Sequence, residues 1–178
     1  VTIDISRRPG IAVVVIAAII LAAALSGCTG APGEDSVNQS RNSYLQAYVA
    51  GMEHHSAGQD FFNNGTRAWE DSDFRAAIAE YANASRNYAD ASKSYGAMAQ
   101  YARGTQEQDF ADSLRGCVYN LSLASDNFMN AAIAMSENNS DTAYDWFSQG
   151  QAHVDASEAL LNRSIAVTPE WLKELASG

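Results

Sequence analysis

The sequence predicts an all-α protein, an antiparallel up-down four-helix bundle with a short C-terminal helix. Three observations predict it. Beyond residue 36 no run alternates apolar and polar residues as a strand would. Four long segments instead repeat apolar or small residues at steps of three and four. The breaks between them are short and carry capping residues, and short connections force neighbouring helices antiparallel.

The first segment covers about 37–69, with Tyr44, Tyr48, Gly51, His55, Gly58, Phe62, Gly65 and Trp69 on its seam. Its three glycines recur every seven residues. Each mid-helix glycine costs about 0.5–1 kcal/mol against alanine, so three of them require a compensating close contact. The second segment, about 73–102, supplies the partners. Phe74, Tyr81, Tyr88 and Tyr95 occupy one seam position; Ala77, Ala84, Ala91 and Met98 occupy the other. Across a tight hairpin Gly65 is expected near Ile78, Gly58 near Ser85 and Gly51 near Ala91. The rings of Tyr81, Tyr88 and Tyr95 then enter the holes that the glycines leave.

The third segment, about 106–137, carries Phe110, Leu114, Cys117, Leu121, Ala124, Phe128, Ala131 and Met135. Cys117 reads as a small buried apolar residue. The fourth, about 141–165, carries Ala143, Phe147, Gly150, Val154, Ser157 and Leu161. Ser72 is the expected cap of the second helix, and Thr105-Gln106-Glu107-Gln108 fits a capping box for the third. Asn139, Ser140 and Asp141 offer caps for the fourth. Pro169 suits the first position of a short fifth helix. The two hairpins share seam phase at an offset near 69 residues, as an old duplication would. The bundle domain is expected over 37–178.

Residues 1–27 have the three parts of a removable export signal: Arg7 and Arg8, the apolar run Ile11 to Leu25, and Leu25-Ser26-Gly27 before Cys28. A helix of that apolar length spans about 22 Å, short of the roughly 30 Å hydrocarbon core, so a removable signal is the better reading. The segment resembles the signal peptides of prokaryotic lipoproteins over residues 1–28. The resemblance implies that Cys28 becomes the first mature residue, carries lipid, and holds the chain to the extracytoplasmic face of the cell membrane. Ser6-Arg7-Arg8 also resembles the start of a twin-arginine signal, with Pro9-Gly10 in place of most of the rest. Residues 28–36 read as the lipidated cysteine and a tether of Gly, Pro and acidic residues. A second resemblance lies around 61–91. Gly65 followed by Phe74, Ala77, Ile78, Tyr81 and Ala84 is similar to one tetratricopeptide repeat. It does not recur, and tetratricopeptide helices are about half as long as these segments.

Removing the signal takes away Arg7, Arg8 and Asp4. It leaves 9 basic and 20 acidic residues of the 11 and 21 in the whole chain, a net charge of −11. Such a surface repels nucleic acid and anionic headgroups, so membrane attachment is expected from lipid on Cys28 alone. Six Asn-x-Ser/Thr sequons begin at Asn38, Asn64, Asn83, Asn120, Asn138 and Asn162. Chance placement would give roughly two, so N-glycosylation at an archaeal or bacterial surface is a candidate property.

The chemistry of the remaining residues is sparse. There is no phosphate-binding glycine loop, no Cys-x-x-Cys and no His-Glu-x-x-His. Glu53-His54-His55 lacks the spacing of a di-iron bundle. No cofactor and no enzyme activity are expected. His55 and His153, near mid-helix on the first and fourth segments, are a candidate metal pair. Tyr81, Tyr88 and Tyr95 either fill the core or line a groove for an apolar ligand. Up-down topology puts Glu70, Asp71 and Asp73 at the same end as Glu137 and Asp141, opposite the lipidated terminus. That acidic tip suits a divalent cation or a basic partner. The leading expectation is a non-enzymatic surface bundle that engages another envelope protein; the alternative is a ligand- or metal-binding bundle.

Overall fold

The computed structural model describes residues 34–177, which form five helices. These are α1 (Glu34–Glu70), α2 (Phe74–Gln100), α3 (Thr105–Ser136), α4 (Ser140–Ala166) and α5 (Glu170–Ser177). The first four are long and pack against one another as an antiparallel up-down bundle. No strand occurs among the described residues, and none of their helices is long and apolar enough to cross a membrane. Residues 1–27, expected to be an export signal, and Cys28 lie outside the described residues. Glu34, Asp35 and Ser36, expected in the tether, belong to α1.

The two tip turns are built alike. In the first, the Ser72 N–H donates to the Trp69 carbonyl (2.9 Å) and the Asp73 N–H to Ala68 (2.8 Å). In the second, Asn138 donates to Met135 (3.0 Å) and Asn139 to Ala134 (2.8 Å). This pair of bonds closes a helix C-terminus when the first residue is left-handed. Ser72 and Asn138 have φ of 60° and 59° accordingly. The next residue then caps the following helix. Asp73 accepts from the Ala76 N–H (3.0 Å) and Asn139 from the Thr142 N–H (3.3 Å). Asp73, not Ser72, is therefore the cap of α2, because Ser72 is committed to ending α1. The matching turns also place the hairpin offset at 66 residues (138 − 72) rather than near 69.

The expected capping box of α3 does not form. Gly104 is its N-cap and makes no side-chain bond. Glu107 instead reaches back to the Arg103 N–H (2.6 Å) and accepts from Trp171 Nε1 of α5 (2.8 Å). Its carbonyl accepts from the Tyr44 hydroxyl (3.0 Å). Glu107 thus ties α1, α3 and α5 together at the end where α1 begins. Trp171 meets Tyr44 edge-on, with Arg41 over its indole.

Close packing follows chain order: α1 on α2, α2 on α3, α3 on α4. Small residues permit it. The Cβ that Gly58 lacks would lie 2.8 Å from the Tyr88 ring, and that of Gly65 would lie 2.8 Å from Tyr81. Gly51 is pressed against Tyr95 in the same way. The glycine–tyrosine interlock is as expected, displaced by about one helical turn: Gly65 meets Tyr81 rather than Ile78. At the tip, α1 and α4 meet ring to ring, through Trp69 and Phe147 at 5.9 Å.

Gly58→Ala is expected to destabilise the fold by about 1–3 kcal/mol, because overpacking outweighs the helix-propensity gain. Urea unfolding of this variant, with Gly96→Ala, inside α2 and in ordinary contact only, as the control, measures it. A more stable Gly58→Ala protein would mean the helices are not held this close.

Candidate functional site

The core divides into two apolar clusters. One surrounds Tyr44, Tyr48, Tyr88, Tyr95, Phe110 and Leu172 at the end where α1 begins. The other surrounds Trp69, Tyr81, Phe128 and Val154 toward the tip. Polar pairs cross the helix interfaces between and beside them. Ser122 on α3 donates to the Ser85 carbonyl on α2 (3.1 Å), and the two hydroxyls lie 3.1 Å apart. Asn120 Oδ1 on α3 accepts from His153 Nδ1 on α4 (3.1 Å). The Tyr88 hydroxyl donates to Gln59 Oε1 on α1 (3.4 Å).

His55 and His153 address different neighbours. His55 is buried with its ring edge-on to Tyr88. It makes no side-chain hydrogen bond among the described residues, and burial lowers its pKa to about 4. His153 is half-buried and turned to Asn120. No described contact unites the pair expected as metal ligands. Among the described residues no group of three or more His, Cys, Asp or Glu side chains is placed to hold a metal ion. Spacing put both near mid-helix, but α1 packs on α2 and α4 on α3, so each histidine faces the neighbour that its own helix packs against.

The tyrosine column is core rather than groove. Tyr81, Tyr88 and Tyr95 are buried, each ring seated on a glycine of α1. A ring that fills its own glycine hole leaves no space there for a ligand. Burial pushes all three phenols up, Tyr81 to about 12, so they remain protonated. Their hydroxyls follow the glycine ladder. Tyr81, over Gly65, reaches Thr66 (3.3 Å); Tyr88, over Gly58, reaches Gln59. The residue after Gly51 is Met52, where Thr66 and Gln59 follow Gly65 and Gly58, and a thioether is a poor acceptor. The Tyr95 hydroxyl is buried without a hydrogen-bond partner among the described residues. Tyr95→Phe is therefore expected to leave stability unchanged or raise it by up to about 1 kcal/mol. A loss above about 1 kcal/mol on denaturant unfolding would show that this hydroxyl has a partner in solution.

Glu70, Asp71, Asp73, Glu137 and Asp141 are all exposed at the two tip turns. None is in an ion pair among the described residues. Cys117 is buried, and burial pushes its thiol up to about 12, which keeps it protonated and unreactive. Sequence reasoning missed the Glu107–Trp171 tie; residues 64 positions apart leave no local signal.

Fold and surface together define a class: a helical bundle with a tightly filled α1–α2 interface and an acidic tip. No protein-family model, curated protein or solved structure matches the chain.

Proposed function

We propose that the protein is a lipid-anchored, non-enzymatic component of a prokaryotic cell envelope whose bundle engages another envelope protein through its acidic tip. The observation that carries the anchor is Leu25-Ser26-Gly27-Cys28 at the end of the apolar run from Ile11 to Leu25. A mature charge of −11 leaves lipid as the membrane attachment. The tip supports the partner reading. Glu70, Asp71, Asp73, Glu137 and Asp141 are exposed, and up-down topology puts them opposite the end where α1 begins. A basic surface on another envelope protein is complementary to it.

The anchor has a direct test. The native protein should partition into detergent phase and yield an N-terminal diacylglyceryl peptide beginning at Cys28. Cys28→Ser should abolish both. A water-soluble native protein with residues 1–27 still attached would refute the anchor. For the partner, photo-crosslinkers at Asp71 and Asp141 should capture the same envelope protein, and one at Arg103, at the opposite end, should not.

One observation favours a ligand-binding bundle as the second reading. The Tyr95 hydroxyl is fully buried without a hydrogen bond among the described residues, and His55, 7% exposed, makes none there either. Metal analysis and absorbance spectra of the native protein test it. Stoichiometric metal or a chromophore that is lost in His55→Phe would favour this reading.

A further inference from the structure

Five of the six sequons lie wholly within helices. On a helix, residues two apart do not face each other. A transferase that grips both the asparagine amide and the hydroxyl two residues on must unwind such a sequon. The hydroxyls of those five are also engaged. Ser40 donates to the Tyr101 carbonyl, Thr66 to Phe62 and Ser122 to Ser85. Ser85 shares a bond with Ser122, and Ser164, 1% exposed, donates to Leu161. Asn120 is doubly committed, because Nδ2 donates to the Gly116 carbonyl and Oδ1 faces His153. A glycan on Asn120 breaks a contact between α3 and α4.

Asn138-Asn139-Ser140 differs in each respect. Asn138 sits in the α3–α4 turn with φ of 59°, and Ser140 only begins α4. All three residues are exposed. Neither the Asn138 nor the Ser140 side chain makes a hydrogen bond among the described residues; Asn139 between them caps α4. The turn bends the chain where the helices keep it straight.

We propose that Asn138 is the N-glycan acceptor of the folded protein, and that the other five sequons are closed by folding. The donor is an oligosaccharide on a polyprenyl phosphate or pyrophosphate. The Asn138 amide nitrogen attacks the anomeric carbon and a C–N bond forms. The C–O bond to phosphate breaks, and the lipid phosphate leaves with the electron pair. The amide proton passes to a base of the transferase. The glycan then stands at the tip, beside Glu137 and Asp141. This rests on the chain being exported, but the acceptor's competence is tested apart from it.

The full chain, purified in detergent, is incubated with a purified single-subunit oligosaccharyltransferase and its lipid-linked glycan, folded or unfolded in urea and diluted. Intact mass and glycopeptide mapping read the sites. The folded chain should gain one glycan, at Asn138, and Asn138→Gln should gain none. The unfolded chain should accept at additional sequons. Transfer to Asn120 or another helical sequon of the folded chain as fast as to Asn138 overturns the proposal. So does absence of transfer to Asn138 in the folded chain, whatever the unfolded chain accepts. Failure of the export reading is seen separately, as a native chain without lipid on Cys28.

Discussion

Phe128→Ala is expected to cost about 3–5 kcal/mol of stability, the largest effect of any single substitution considered for this fold. Phe128 is 5% exposed on α3, and rings from the three other long helices converge on it. Phe62 of α1 stands 5.5 Å away, Tyr81 of α2 5.6 Å, and Phe147 of α4 5.1 Å. Gly150 of α4 lies so close that its missing Cβ would sit 3.1 Å from the ring. Deleting the ring removes transfer energy and leaves a void bounded by four helices. Aromatic pair geometry adds to the loss. Tyr119→Ala on the same helix is the control: its side chain is 56% exposed and should cost less than about 0.5 kcal/mol. Denaturant midpoints at constant slope read both. A Phe128→Ala loss below about 1.5 kcal/mol would mean the four helices do not share this core.

The second large effect is acid sensitivity at His55. Burial lowers its pKa in the fold to about 4, against about 6.5 for an unfolded chain. Between those values the unfolded chain binds more protons, so stability rises with pH there. The contribution is whole above about pH 6.5 and falls as pH drops toward 4, by about 3 kcal/mol in all. The groups nearest the ring offer no compensating charge. Tyr88 faces it with a phenol that burial keeps protonated, and no carboxylate pairs with it among the described residues. Unfolding free energy measured from pH 7 to pH 4.5 should drop steeply for the native chain. It should drop much less for His55→Phe, which keeps an aromatic ring edge-on to Tyr88. Equal slopes for the two proteins would show that His55 is not buried neutral.

Much of the bundle was readable before folding was considered. A period of seven in Gly51, Gly58 and Gly65, matched by Tyr81, Tyr88 and Tyr95, announces a close helix pair, because only large rings justify repeated glycines. What spacing could not supply was axial stagger. A slide of about one turn keeps every seam residue on its seam, and so changes Gly65's partner from Ile78 to Tyr81 without disturbing the pattern. Stagger follows from the turn, and here Ser72 ends α1 in a left-handed conformation and leaves Asp73 to begin α2. Adjacent capping residues look alike in sequence and differ only in backbone conformation.

The candidate sites divide along the same line. Exposure of Glu70, Asp71, Asp73, Glu137 and Asp141 follows from charge and chain direction, and all five are exposed at the two tip turns. The histidine pair depended on α1 packing along α4, whereas α1 packs on α2 and α4 on α3; the tyrosine groove depended on whether rings fill or line a space. Six sequons are equal as text; helix geometry makes one of them different.

The sequence by itself determined the helices, their order and direction, the glycine–tyrosine seam and an acidic tip. Periodicity, capping chemistry and charge are local properties that each segment carries with it. Only the tertiary structure decided that Phe128 is the meeting point of four helices, that His55 and the Tyr95 hydroxyl are buried without a hydrogen bond among the described residues, and that Glu107 binds Trp171. These depend on the stagger and rotation of one helix against another, which are set when all the side chains pack at once.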